Sequence, residues 1–575
     1  MSLDVCQGFS QKCVFVTGGS GFMGKVFLYK LLKECPDIGT IYVLMRGKTS
    51  RKLKRHLGPQ ERLTAEVLSS PCFDSLRAAV GEEAFRSLSA RVVAVEGNIT
   101  SNRLGLSERD CQVLLQSVNF IVHMAATVNF DEPLNVATEI NTLGSLRVLA
   151  LAKRCKNLEA MVHVSTCYVN YSRYGGVVEE RLYAAPFDPQ AMCKHILALS
   201  DKEVADVGRQ LLKKYCFPNT YTFTKFIGEQ LIYENKGDCP VVIVRPAIVG
   251  CSLKEPFPGW VDALTAAGGL LLTVGLGTVQ EVAGRGDAVA DIVPVDFVVN
   301  VIIKALFKTQ VYYRDRRAKC VTGANRTSPC TSGGELVNSP VSGSVGLGNS
   351  EERPACQSTG ASKISPCRAS PEPQARHVHG TVALPDRAKS DLPFVYHACT
   401  SSSVNNLTWR RLRDASKAYW DWGKRHPRAI APMNGALIES PVLYSLKFFF
   451  CREVPYHLLS FASELPSPIG SEKKRAMARR LGKAIFRAKD LNRQFYAFTS
   501  REWLFTDANT RSLDEGLNER SRAHFYFDTY MVKWWTYAQW YCHGVLKYVV
   551  GDTGRYEAPA LVDSPVEIFR RASSL

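Results

Sequence analysis

The 575-residue chain has no run of 18 apolar residues, which argues against a membrane-spanning helix. It has no Cys-x-x-Cys pair and no Cys/His cluster at zinc spacing, although it carries 18 cysteines and 11 histidines. No resident metal is therefore expected, and isolated histidines are read as packing or surface residues. The amino terminus, MSLDVCQGFSQK, lacks an apolar signal core, so the scattered cysteines fit a reducing compartment. No nucleic-acid-binding motif accompanies the net charge of +18, and no nucleic-acid partner is expected. That charge suits acidic partners such as phosphorylated cofactors, coenzyme A or anionic lipid.

What is present starts with Val14-Phe15-Val16, an apolar run too short for a helix, followed by Thr17-Gly18-Gly19-Ser20-Gly21-Phe22-Met23-Gly24. A helical pattern opens there (Val26, Leu28, Leu31, Leu32) and stops before Pro36. Strand, glycine-rich loop and helix in that order predict dinucleotide binding. The glycines allow a tight turn and close backbone approach to a pyrophosphate, which sits on the helix N-terminus. Thr17, Gly18, Gly21, Phe22, Met23 and Gly24 are the candidate cradle.

Residues 40–45 read as a second strand, and its tip carries Arg46, with Lys48 and Arg51 behind, where an acid would select NAD. That missing acid points to a 2′-phosphate and hence to NADPH, the alternative being a solvated basic loop. Residues 91–99 supply a third strand and an exit turn at Asn98 and Ile99, and residues 118–126 a fourth ending in small Ala125 and Ala126. His123 is read as a satisfied strand residue. Residues 161–166 form a fifth strand that delivers Ser165 and Thr166 at its carboxyl end, where ligands bind in open α/β sheets. Tyr221 and Lys225 share a helical face four residues apart. A lysine held near a tyrosine, with the positive ring of NADP adjacent, favours the phenolate, which predicts a lowered Tyr221 pKa and a usable proton donor. The strand at 241–245 ends at Pro246. The fold class expected is α/β, a Rossmann-type doubly wound parallel sheet with a C-terminal mainly helical domain.

This order resembles the extended short-chain dehydrogenase/reductases. The pieces TGGSGFMGKVFLYKLL, IYVLMRGK, HMAATVNFDEPL, VHVSTCYVN, NTYTFTKFIGEQL, VVIVRPAIVG and ADIVPVDFVVN resemble, more narrowly, fatty acyl-CoA reductases. The resemblance covers about residues 12–310, resumes at 394–397 and continues over about 443–551. It implies NADPH-dependent reduction of a long-chain acyl-CoA to a fatty alcohol through an aldehyde. It further implies Tyr221 as acid, Ser165 or Thr166 as oxyanion partner, and Lys225 on the ribose. Asn98 stands where the family usually has aspartate. Cys167 invites a covalent acyl-enzyme route, which hydride attack on the thioester makes unnecessary. The rivals are a reductase of sterols or nucleotide sugars and a catalytically silent NADP-binding membrane scaffold.

The division expected is a reductase domain over 1–312, a disordered Ser/Gly/Pro-rich insertion over 313–392, a return segment over 393–439, a helical domain over 440–555, and a tail over 556–575. The stretch SPVLYSLKFFFC (440–451) reads as a buried helix, an interfacial segment, or the floor of an acyl tunnel. In the following helix Met477, Leu481, Ile485 and Leu491 share a face opposite many basic residues. That pattern suits an anionic membrane surface or a solvated face. Trp534, Trp535, Tyr537, Trp540 and Tyr541 are expected in a core. Peripheral or partly embedded contact with the cytosolic face of the endoplasmic reticulum or peroxisome follows as an expectation. The closing Ser-Ser-Leu only loosely matches a peroxisomal address.

Overall fold

The computed structural model describes residues 2–50, 54–264, 267–321, 392–421, 426–466, 471–552 and 556–560. The structure builds seven parallel strands into one sheet: β1 (Cys13–Thr17), β2 (Ile41–Met45), β3 (Val92–Glu96), β4 (Val118–His123), β5 (Ala160–Val164), β6 (Val241–Pro246) and β7 (Val395–Ala398). Their spatial order is β7-β6-β5-β4-β1-β2-β3. Such a sheet is covered on both faces, which is why the strands read as continuous apolar runs and not as alternating ones. Val14, Phe15 and Val16 are fully buried. Val16 lies in register with Val43 on one side and Val122 on the other. The chain leaves β1 toward β2 on one side and reaches β4 on the other, so a crevice opens at the carboxyl ends of β1 and β4.

Helices α1 (Phe22–Glu34), α2 (Gly144–Ala152) and α3 (Thr220–Asn235) flank the sheet. Before α2, residues Leu134–Thr138 are helical and Glu139–Leu143 form a π turn, so the helical stretch that leads into α2 carries a distortion. Helix α3 is capped by Asn219, whose side-chain oxygen accepts from the Thr222 N–H at 2.9 Å. A buried bidentate pair ties α3 to β6: Arg245 Nε donates to Glu229 Oε1 at 2.9 Å and Nη2 to Oε2 at 2.5 Å. Both ends are desolvated together, so losing either partner would strand a buried charge.

Helix α4 (Val295–Val321) continues through 313–321, so the first residues assigned by sequence to a disordered insertion are helical. Residues 322–391, the rest of that segment, lie outside the described residues, as do 561–575 of the tail. The described residues of 2–315 and 392–560 form one compact unit. The return segment contributes β7, paired in parallel with β6. Beyond it lie α5 (Trp409–Asp421), α6 (Pro441–Phe448), a π turn at Phe449–Glu453, α7 (Val454–Glu464), α8 (Glu472–Thr499) and α9 (Trp534–Gly544). Short parallel pairings stitch this half to the first: Leu504–Phe505 on Val177–Val178, and Ala436–Ile438 on Glu281–Ala283. Trp534, Tyr537 and Tyr541 are core residues, and Tyr537 donates its hydroxyl to Cys251 O at 2.8 Å. Trp535 stays partly exposed, because it falls on the outer face of α9. Among the described residues no helix is long and apolar enough to cross a membrane.

Candidate active site at the carboxyl edge of the sheet

A cavity of about 1030 Å³ opens over the carboxyl ends of β1, β4 and β5, and its wall gathers the glycine loop with Arg46, Asn98, Ile99, Ala125, Ala126, Ser165, Thr166, Tyr221, Lys225 and Pro246. The glycine loop forms one end. Gly18 has φ +77°, and a Cβ there would lie 2.7 Å from Ala125 N. A Cβ at Gly24 would lie 2.3 Å from Gly18 O. Neither position admits a side chain, so the loop stays tight against β4 and the first turn of α1. By helix geometry that turn leaves the N–H groups of Phe22, Met23 and Gly24 without intrahelical partners. These three residues line the cavity, so the helix N-terminus fits the pyrophosphate of a dinucleotide. Thr17 buttresses the loop: its hydroxyl accepts from Ala125 N at 3.2 Å and pairs with His123 Nδ1 at 2.7 Å. Burial holds the His123 pKa down to about 3, with the Lys225 charge a lesser cause, so the ring is a neutral strut and not an acid.

Arg46 lines the cavity at the tip of β2, but Lys48 does not, and Arg51 lies outside the described residues. A different arginine joins Arg46. Arg62 also lines the wall, donating to Arg46 O at 2.5 Å and held by Glu66 through Nε (3.0 Å) and Nη2 (2.8 Å). No motif spacing pointed to it; the chain turn that returns it to Arg46 is a tertiary fact. Asn98 and Ile99, which follow β3 beside the tip of β2, also line the cavity. Asn98 uses its side-chain oxygen to accept from Thr100 N at 3.2 Å.

At the other end, β5 presents two hydroxyls that the structure distinguishes. Thr166 caps the following turn, accepting from Tyr168 N at 3.3 Å and donating to Pro246 O at 3.3 Å. Ser165 Oγ is buried and, among the described residues, has no hydrogen-bond partner. An unsatisfied buried hydroxyl is costly unless something else uses it. Cys167, next in sequence, turns away: its thiol donates to Arg245 O at 3.0 Å, it is absent from the cavity wall, and burial raises its pKa well above the ordinary range. A protonated thiol facing away from the substrate space cannot serve as the nucleophile of a covalent route.

Tyr221 and Lys225 come from the first turns of α3 and both line the cavity. The tyrosine ring lies 6.1 Å from Phe130, centroid to centroid. In the protein by itself, burial pushes the Tyr221 phenol up, and the Glu229 carboxylate adds to this. Lys225 Nζ donates to Val164 O at 2.8 Å, and burial lowers its pKa to about 8 against the opposing pull of Glu229. The protein alone thus keeps the phenol protonated, as a proton donor needs. The helix behind is pinned by groups that sequence reading passed over. Asn141, in the π turn, donates to Thr224 Oγ1 at 3.0 Å, and Thr142 Oγ1 donates to Thr224 O at 2.8 Å, one residue before Lys225.

The remaining wall is supplied by the far half of the chain: Leu491, Gln494, Phe495 and Phe498 from α8, with Ala263 and Leu264. Sequence reading had offered residues 440–451 as a tunnel floor. They do not line the cavity, and most of α6 faces solvent. Among the described residues no group of His, Cys, Asp or Glu is placed to hold a metal ion.

Comparison with known proteins agrees with this geometry. Residues 16–302 match a family described as male sterility protein, in its NAD-binding part, and residues 469–552 match a second family of the same description. The chain is 28% identical over 554 residues to fatty acyl-CoA reductase 1 of Xenopus laevis, covering 96% of this chain and 87% of that protein. It is 29% identical over 546 residues to human fatty acyl-CoA reductase 1, covering 95% and 86%. Among solved structures, the terminal R domain of the myxalamid PKS-NRPS pathway superposes with a TM-score of 0.50 at 17% identity, over 96% of this chain and 93% of that one, a likeness of fold. With a nicotinamide-nucleotide site, a Tyr/Lys pair and both halves of the family pattern in one unit, the chain belongs to the fatty acyl-CoA reductases.

Proposed function

We propose that the protein reduces long-chain acyl-CoA to the fatty alcohol at the expense of NADPH, releasing coenzyme A and passing through an aldehyde. The observation that carries this reading is the grouping of Ser165, Tyr221 and Lys225 around one cavity whose other end is the glycine loop. The nicotinamide, when bound, supplies hydride once to the thioester carbonyl and once to the aldehyde carbonyl. The residues supply the rest. Ser165 Oγ has its hydrogen free to donate to the oxyanion that develops on the thioester carbonyl, where such donors give most of their effect. Collapse of that adduct breaks the C–S bond and expels the coenzyme A thiolate. In the second reduction Tyr221 donates its phenolic proton to the carbonyl oxygen, which yields the alcohol. Lys225, fixed on Val164 O, offers its positive charge to the ribose and to the phenolate left behind.

The preference for NADPH over NADH is read from Arg46 and Arg62, two guanidinium groups at a strand tip that carries no acid. The acyl chain is assigned to the α8 side, against Leu491, Phe495 and Phe498, because that wall is apolar and lies beyond the hydroxyls. We further propose a peripheral setting on the cytosolic face of an intracellular membrane, the endoplasmic reticulum or the peroxisome. The test is direct: purified protein, NADPH and a panel of acyl-CoAs, with products resolved as aldehyde or alcohol. Alcohol formation at two NADPH per acyl-CoA is expected. No NADPH consumption with any acyl-CoA would overturn the reading.

A further inference from the structure

Residues 441–487 combine two features that a packed domain surface does not ordinarily bring together. Along α6, α7 and the π turn between them, Leu443, Leu446, Phe450, Leu458 and Phe461 are 51–70% exposed. Leu443, Leu446 and Phe450 recur at i, i+3 and i+7, and Leu458 and Phe461 at i and i+3, so they form stripes and not scattered single residues. Contiguous exposed apolar surface of this kind marks a contact with something else.

Helix α8 runs back along this bracket. A Cβ at Gly482 would lie 2.9 Å from the Tyr456 ring, and Lys489 Nζ bonds Glu453 Oε1 at 2.7 Å, so α7 and α8 pack as an antiparallel hairpin. Ala478, Ala488, Asn492 and Phe495 of α8 are buried. On the opposite side Lys473, Arg480, Lys483 and Arg487 fall at i, i+7, i+10 and i+14, all exposed, a single row. The acids near this helix are already engaged elsewhere: Glu472 with Arg475 and Arg479, Glu453 with Lys489, Asp490 with Arg493. Among the described residues none of the four cations in the row has an ion pair. Phe486, 73% exposed, lies beside them.

We propose that this hairpin is the surface on which the protein docks on an anionic lipid bilayer, its apolar stripe entering the interface and its basic row meeting the headgroups. Charge decides the occupant. A row of four unpaired cations on a hairpin that also exposes Phe and Leu is complementary to a surface that is both anionic and apolar. Nothing on the hairpin is long or apolar enough to span, so the contact is interfacial. Position adds the functional link. Leu491, which lines the catalytic cavity, lies four residues beyond Arg487 on the same helix, about 6 Å along its axis. A docked hairpin therefore brings its basic row to about one helical turn from Leu491 at the cavity wall. This assignment deepens the membrane-side reading above and rests on it, and names the surface and the lipid chemistry.

The test uses the purified full chain without NADPH or acyl-CoA, so that its outcome is independent of turnover. Co-sedimentation with phosphatidylcholine vesicles is compared with phosphatidylcholine vesicles containing phosphatidylserine. Binding is expected only with the anionic lipid, and it should weaken as salt is raised. Replacing the row (Lys473→Gln, Arg480→Gln, Lys483→Gln, Arg487→Gln) should lower the partition coefficient by at least about 100-fold, given the usual worth of a basic residue at an anionic surface. Phe450→Ser with Phe461→Ser should weaken binding without removing its salt dependence. Unchanged circular dichroism and melting would show that the exposed substitutions leave the fold intact. The proposal is overturned if the wild-type chain ignores anionic vesicles, or if it binds them and the row variant binds equally well. The second result would leave a membrane-side enzyme standing with its docking surface elsewhere.

Discussion

Lys225 donates its ammonium to the carbonyl oxygen of Val164 at 2.8 Å, one residue before Ser165. Helix α3 and strand β5 are thereby joined at the point where both deliver catalytic groups. Tyr221→Phe keeps the ring against Phe130 and removes only the hydroxyl. Loss of a general acid costs about 10²–10⁴-fold, so kcat should fall by that order for acyl-CoA and for added aldehyde alike. NADPH affinity should barely change. Near-wild-type turnover on both substrates would rule out Tyr221 as the donor.

The two hydroxyls of β5 make a sharper comparison. Ser165 Oγ has no partner among the described residues and Thr166 Oγ1 has two. Ser165→Ala should therefore cost about 10²–10³-fold in kcat on the thioester, the worth of an oxyanion donor. Thr166→Ala should act mainly on stability, through the lost cap. Cys167→Ala should leave thioester reduction intact, since that thiol is committed to Arg245 O. A Cys167→Ala enzyme that still reduces aldehyde but not thioester would restore the covalent route.

Cofactor choice tests the pairing of Arg46 with Arg62. Charge-assisted hydrogen bonds are individually worth enough that Arg46→Ala should raise the KM for NADPH by about 10- to 100-fold. The KM for NADH should move little. Arg62→Ala should act in the same direction and more weakly, because part of its guanidinium is already spent on Glu66. Steady-state kinetics with both nucleotides decide this, and equal use of both by the wild-type enzyme would defeat it.

These outcomes also mark what a sequence can disclose. The glycine loop, the Ser165-Thr166 step and the Tyr221/Lys225 pair are local spacings on single elements, so strand and helix periodicity sufficed to place them in one cavity. Arg62, Asn141 and Phe498 belong to the same site by tertiary return, and no spacing connects them to it. The setting of the phenol is a related case. Four residues put Lys225 on the same face as Tyr221, but periodicity could not show that its ammonium is held by a carbonyl of β5. Helix α4 runs on to Val321, past residue 313, because the helical backbone continues beyond its apolar pattern through the charged residues 314–317.

Lys225 also gives stability a pH signature. Its folded pKa, about 8, is lower than the ~10.4 of an unperturbed lysine. The buried groups around it are Glu229, which is paired with Arg245, and the rings of His123 and His163, both kept neutral by burial. Between those two pKa values the unfolded chain binds more protons than the folded one, so this residue's contribution to stability rises with pH across that window. Urea titrations at intervals from pH 7 to 10, a range chosen around about 8, should show a smaller rise in Lys225→Met than in the wild-type chain. Identical slopes would mean that Lys225 ionises normally in the fold.

The last prediction concerns the acyl wall. Leu491 is half-buried on α8 and faces the cavity beside Phe495 and Phe498. If the chain of the substrate lies there, filling the space should discriminate by length and leave the chemistry alone. Leu491→Trp adds volume at the surface of an existing cavity, where strain is smaller than in a packed core. A loss equivalent to one or two methylene contacts is worth about tenfold or more. The kcat/KM for hexadecanoyl-CoA should fall by at least that factor, while octanoyl-CoA, whose shorter chain makes fewer contacts with that wall, should lose less. NADPH binding should be unaffected, because the glycine loop and the arginines lie at the other end. A uniform loss across chain lengths would move the acyl chain off α8, and an unchanged length profile would do the same.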